Sequence, residues 1–162
     1  MADDVSTTQL FYENWGEFLG QVRDALVPLD STQLGLRAAA NERTVGEMAQ
    51  HVVAARAYWF HDFMGEGGGE IAQYMPWDEP DAPTYSAAEI VQGMDATWQF
   101  MFERLSTWTP EDMRHTFPHE WRGDHYDLTR SWVVWHVLEH DLMHAGEISL
   151  TLGMHGVPAP RP

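Results

Sequence analysis

The sequence contains no cysteine. That excludes a disulfide framework, a Cys-based zinc finger and a thiol nucleophile supplied by the chain itself. Positive charge is scarce: 9 Lys+Arg against 25 Asp+Glu give a formal net charge of −16. Such a field repels nucleic-acid phosphates and anionic lipid, and no basic patch opposes it, so neither nucleic acid nor a membrane surface is expected as a partner. Long apolar runs are missing too, and none approaches the roughly 20 residues of a membrane span. The opening MADDVSTTQLFYENW is acidic where a signal peptide needs positive charge, so a cytoplasmic location is expected. Packing material is plentiful, with 44% hydrophobic residues, 12% aromatics and eight tryptophans. A chain of 162 residues with this composition is expected to be one domain over 1–162, with 153–162 as a proline-rich tail.

Four stretches carry helical periodicity. Phe11, Trp15, Phe18, Leu19, Val22 and Leu26 form a stripe over residues 8–27, which Pro28 stops. A connector over 28–43 has room for a short turn at Gln33–Ala40. Thr44-Val45-Gly46-Glu47 reads as a capping box and opens a second helix to about Met64, with His51 in its second turn and His61, expected to face solvent, near its far end. Residues 65–85 are glycine-rich and then proline-rich, a connection longer than usual. They predict a crossover over one end of the helices, held down by Tyr74, Trp77 and Tyr85. Ser86-Ala87-Ala88-Glu89 is a second capping box, and Ile90, Val91, Met94, Trp98, Met101, Phe102 and Leu105 continue the third helix. Residues 110–128, with Arg122-Gly123 available for a turn, allow a small hairpin or an irregular loop, where His115, His119 and His125 are expected to be exposed. His119-Glu120 does not begin an H-E-x-x-H zinc motif, because position 123 is Gly and the setting is a loop. The fourth helix spans 129–153, with Gly153 as its cap. The expected class is all-α, a four-helix bundle with a long crossover between helix 2 and helix 3.

The fourth helix places His136, His140 and His144 at four-residue intervals. Successive rings then lie one turn apart on one face, each offset by about 40°. A neighbouring pair can close on one metal ion. His136 and His144 are roughly 12 Å apart along the axis, too far for all three to do so. Two histidines of this helix with ligands from elsewhere make a metal site, and single rings packed in a polar-tolerant core are the bland alternative. His51 by itself reads as a core histidine, and Glu47 is accounted for by its cap.

Three pieces of the sequence resemble the DinB/YfiT-like superfamily of small metal-binding four-helix proteins. They are Arg43-Thr44-Val45-Gly46-Glu47-Met48-Ala49-Gln50-His51, the block His140-Asp141-Leu142-Met143-His144-Ala145-Gly146-Glu147-Ile148, and the ending Leu150-Thr151-Leu152-Gly153. Each pattern is weak alone; their order and separation are specific. The resemblance implies a metal triad of His51, His140 and His144, with His136 outside it. It also implies the helix 2 to helix 3 crossover and a homodimer.

Three imidazoles leave a position open on a divalent ion, as catalytic sites do. Zinc, nickel and iron(II) all accept imidazole. The resemblance then implies a metal-dependent enzyme acting on a small-molecule substrate. The leading expectation is transfer of a low-molecular-weight thiol to a small electrophile, with Arg56, Arg122 and Arg130 as candidate partners for an anionic cofactor. The alternative is a metal-dependent hydrolase, with Glu139 and Glu147 as nominal bases that read better as groups orienting ligand rings. A non-catalytic metal-binding or ligand-sequestering module is the third reading.

Overall fold

In the computed structural model, residues 7–160 are described. The acidic residues 1–6 and Arg161-Pro162 of the tail lie outside them. Helix α1 spans Thr7–Leu26, α2 is the short Ser31–Leu34, and α3 is Val45–Ala57, continued by a π-helical turn over Tyr58–Phe63. After α4 (Gly69–Ala72) and a 3-10 turn at Met75–Asp78 comes α5, Ala87–Leu105. A second 3-10 turn at Asp112–Arg114 leads to β1 (Thr116–Trp121), β2 (Asp124–Thr129) and α6 (Arg130–Met154). The protein is mostly helical. The strands correct the all-α expectation: β1 and β2 form an antiparallel two-stranded sheet with Thr116 opposite Thr129 and Trp121 opposite Asp124. Arg122 (φ 53°) and Gly123 (φ 89°) make its two-residue turn, both in the left-handed region that matches hairpin twist.

Local signals set the helix starts. Thr44 Oγ1 accepts from Glu47 N–H while the Glu47 carboxylate accepts from Thr44 N–H, and Ser86 and Glu89 repeat the arrangement. A third box, Asp30 with Gln33, opens α2 and places the connector's helix earlier than the Gln33–Ala40 turn expected. The end of α6 differs from expectation. Gly153 stays helical, and Gly156 (φ 71°) closes the helix as Val157 N–H bonds Leu152 C=O and Gly156 N–H bonds Gly153 C=O. The tail through Pro160 turns back on the fold, where the Pro160 carbonyl accepts from Ser149 Oγ and Val157 and Ala159 meet the core.

Helix α3 packs against both α5 and α6, and α1 touches α5 and α6 from the other side. Leu26, Val53, Phe60, Ile90, Met101, Val133, Ile148 and Leu152 bring fully buried side chains from all four long helices. Phe11, expected in the α1 stripe, is 52% exposed, and Tyr12 takes the buried place. On α6, Trp132, Trp135 and Leu142 likewise face outward.

A buried polar clasp ties the long helices together. Arg56 of α3, 0% exposed, donates Nε–H to Asp141 Oδ1 of α6 at 3.0 Å and Nη1–H to Met94 C=O of α5 at 3.3 Å. Trp15 Nε1–H of α1 donates to the other Asp141 oxygen at 3.1 Å. Burial pushes the Asp141 carboxyl upward while Arg56 and the Trp15 N–H pull it back. Among the described residues no helix is long and apolar enough to cross a membrane.

Candidate metal centre

The capping box at Thr44 fixes where α3 begins and so puts His51 in its second turn, on the side that meets α6. His140 and His144, one turn apart on α6, face it. One ligand nitrogen from each of the three histidines falls within 4.8 Å of the others. The Nε2 atoms of His51 and His140 approach to 2.8 Å. Ring centroids of His51, His140 and His144 are 4.4 to 4.9 Å apart.

Two of the rings have their outer nitrogen occupied. His51 Nδ1 lies 2.7 Å from Asp78 Oδ2, and His144 Nδ1 lies 2.6 Å from Glu147 Oε2. A carboxylate there accepts from Nδ1–H, which leaves Nε2 as a bare donor atom pointing into the cluster. Asp78 is itself held by Arg43, whose Nη1 contacts Oδ1 and whose Nη2 lies 3.4 Å from Oδ2.

Burial favours the neutral form of two of the rings, His140 and His51. Burial, reinforced by the neighbouring His144 and His51, lowers His140 to about 3. Burial also lowers His51, against the pull of Asp78. Burial works upward on the Asp78 carboxyl, yet Arg43 and His51 hold it below its ordinary value. Neutral imidazole is the form that binds metal, so the donor set fits a divalent cation. The 2.8 Å approach of the His51 and His140 Nε2 atoms constrains what lies between them. Two bare lone pairs repel at that distance, and either a shared proton or a cation must sit between them.

The structure brings together the three histidines that the resemblance implied and leaves His136 out. His136 stacks on Trp132 (5.0 Å, 11° between planes), meets Trp59 edge-on, and lies 6.3 Å from the His140 ring. Its Nδ1 is 3.7 Å from Glu139. His119 of the hairpin joins this aromatic run through Trp59, Phe63 and Trp121 and is half-buried, whereas His115 and His125 are exposed. His61, expected at the surface, is half-buried with Nδ1 3.0 Å from the Glu66 carbonyl.

The three arginines considered for an anionic cofactor are engaged elsewhere. Arg56 belongs to the core clasp, Arg122 sits in the hairpin turn, and Arg130 pairs with Glu66 and lies over the Trp108 ring. Two residues at the site escaped the sequence reading: Asp78 and Arg43. Asp78 stands among Glu79 and Asp81 in the crossover, with no local pattern to mark it. Beside this pair opens a cleft of about 1170 Å³, lined by Arg43, Glu47, Gln50, Trp77, Asp78 and Tyr85 among others, and none of the three histidines lines it.

Comparison with known proteins bears on the fold and the family. A DinB-like protein from Bacillus cereus has a similar structure, with TM-score 0.71 and 23% identity over 94% of this chain and 95% of that one. A conserved protein from Enterococcus faecalis is similar with TM-score 0.67 and 14% identity over 91% and 98%. No curated protein matches the sequence. The sequence profile of the DinB superfamily matches residues 15–148. The helical scaffold, the histidines contributed by α3 and α6 and this match lead to one conclusion: the chain belongs to the DinB superfamily.

Proposed function

We propose that this protein is a divalent-metal-dependent enzyme that transfers a low-molecular-weight thiol to a small electrophile. In this reading the four long helices are the bundle of its superfamily and 65–85 is the crossover from helix 2 to helix 3. The observation that carries the proposal is the donor set. His51, His140 and His144 offer three imidazoles, and the metal-competent group among the described residues contains no fourth side chain. Three imidazoles leave a divalent ion with an open position.

The residues bind through Nε2, and Glu147 keeps the His144 ring turned inward. A divalent ion held there would supply Lewis acidity, the chemistry that lowers the proton affinity of a thiol. Transfer joins the thiol sulfur to an electrophilic carbon as the leaving group departs, and the thiol proton goes to water. The chain has no cysteine of its own to compete for the metal. Hydrolysis needs a free general base beside the bound water. The nearby carboxylates of Glu47, Glu147 and Glu139 face the Thr44 N–H, His144 and His136, which favours thiol transfer over the hydrolase alternative.

Elemental analysis of untagged protein should find about one zinc, nickel or iron per chain, lost in a His140→Ala/His144→Ala variant that remains helical. Thiol consumption with a model electrophile should then require the metal. No metal uptake from any of the three ions would sink the metal reading. Uptake without thiol turnover would redirect it to hydrolysis or to a non-catalytic module.

A second copy of the chain is the partner proposed here. Trp135, Leu142, Met143, Leu150 and Met154 are exposed on one side of α6 at helical spacing, and α1 adds exposed Leu10 and Phe11. A run of apolar side chains this long on one helix face supports burial against an identical face.

A further inference from the structure

We propose that Asp78 is a positioning residue of the metal centre: it holds His51 with Nδ1 protonated and Nε2 bare, and it makes the crossover part of the site. The inference rests on the reading that the three histidines hold a metal. The first support is the 2.7 Å contact between Asp78 Oδ2 and His51 Nδ1. The second is the contrast between the ligands. His144 takes its carboxylate from Glu147, three residues on along the same helix. On α3 the acid one turn before His51 is Glu47, and its carboxylate is engaged by the Thr44 N–H at 2.6 Å as part of the helix cap. Positions 54 and 55, on the next turn, are alanines. The helix therefore has no acid left for His51, and a segment 27 residues away supplies one.

That segment is built to hold still. Trp77 stacks on Tyr85 at 4.0 Å and 19°, and its ring lies so close to Gly93 that a Cβ there would come within 2.8 Å. Gln50, the residue before His51, donates Nε2–H to the carbonyls of Trp77 (3.3 Å) and Pro83 (3.2 Å). Arg43 grips Asp78 through both oxygens, Oδ1 with Nη1 and the His51-facing Oδ2 with Nη2 at 3.4 Å. The carboxylate is thus held by Arg43 and by the backbone that carries it. An oriented ring binds metal more tightly, and by linkage the metal must in turn tighten the docking of the crossover.

Three measurements on the full chain decide the matter. In metal-free protein, histidine ring ¹⁵N NMR should show His51 protonated at Nδ1 and bare at Nε2. Asp78→Ala should lose that signature with unchanged helix content, and Asp78→Asn, whose amide oxygen still accepts, should keep it. Zinc affinity, read by competition with a chromophoric chelator, should fall about 10- to 100-fold in Asp78→Ala and less in Asp78→Asn. Zinc should slow exchange of the Trp77 and Glu79 amides, which bond Tyr74 and Pro76 carbonyls, in the native protein and not in Asp78→Ala. An Asp78→Ala protein with the native tautomer and native zinc affinity overturns the proposal. Exchange at Trp77 and Glu79 indifferent to bound zinc overturns the link to the crossover. Should the native protein bind none of zinc, nickel and iron(II), the metal reading fails, and the tautomer read without metal still decides whether Asp78 sets the His51 ring.

Discussion

At the scale of single residues, the protein keeps a buried Arg–Asp pair beside the histidine cluster. Asp141 follows His140 directly in sequence, yet its side chain turns into the core to meet Arg56 and Trp15. Removing one member of a buried pair leaves the other uncompensated, at a cost of about 3–5 kcal/mol. Asp141→Ala is therefore expected to lower the unfolding free energy read from urea titration by an amount of that order, and a loss under about 1 kcal/mol would show that the clasp contributes little. His140 gives a prediction with a definite sign. Its folded value is about 3, against an ordinary value of 6.5, so between those limits the unfolded chain binds the extra proton. The stability from neutral His140 is fully present above pH 6.5 and is lost as pH falls towards about 3. Urea unfolding of metal-free protein should show this decline, which His140→Gln should flatten; equal slopes would remove His140 as its cause.

At the scale of elements, what could be read in the sequence follows the range of the interaction. Both expected capping boxes, at Thr44 and Ser86, are contacts over three residues, and both form. Spacing alone marks a neighbouring pair among His136, His140 and His144, and choosing His140 with His144 took the resemblance. His51 needed the resemblance, because nothing local distinguishes a ligand from a core histidine. Asp78 lies 27 residues from His51, and Arg56 lies 85 from Asp141, so their partners follow only from how helices cross. The exposed side of α6 is not legible in the sequence because its apolar residues run round much of the helix, and spacing does not tell a core face from a second apolar face. The crossover is the element most open to test. In Gly93→Ala, relief of the glycine penalty is worth up to about 1 kcal/mol. The new Cβ, 2.8 Å from Trp77 ring carbons and 3.1 Å from Val53, should cost more, about 1–3 kcal/mol, because the stacked indole has little freedom to retreat. Thermal unfolding should show net destabilisation, and an unchanged or raised midpoint would mean that the crossover yields easily.

At the scale of the whole molecule, charge and apolar surface divide the labour. All nine positive residues are arginines and lysine is absent, so the net charge of −16 is countered only by side chains with a planar, multi-donor head. Arg43, Arg56 and Arg130 are each tied to a carboxylate, which leaves the exterior strongly acidic. Self-association has to rely on apolar contact, and α6 offers it. Light scattering is expected to give a dimer for the native chain and a monomer for Trp135→Glu/Leu142→Glu with its fold intact. A monomeric native protein would reassign that face. The aromatic run beside the site has an optical consequence. Trp59 and Trp132 both meet His136, whose ring is next to that of the ligand His140. Paramagnetic ions such as nickel(II) or cobalt(II), seated at the histidines, would quench the emission of these two indoles. Metal uptake at the histidines would then be readable from these two indoles without a label, and Trp59→Phe/Trp132→Phe would silence the change.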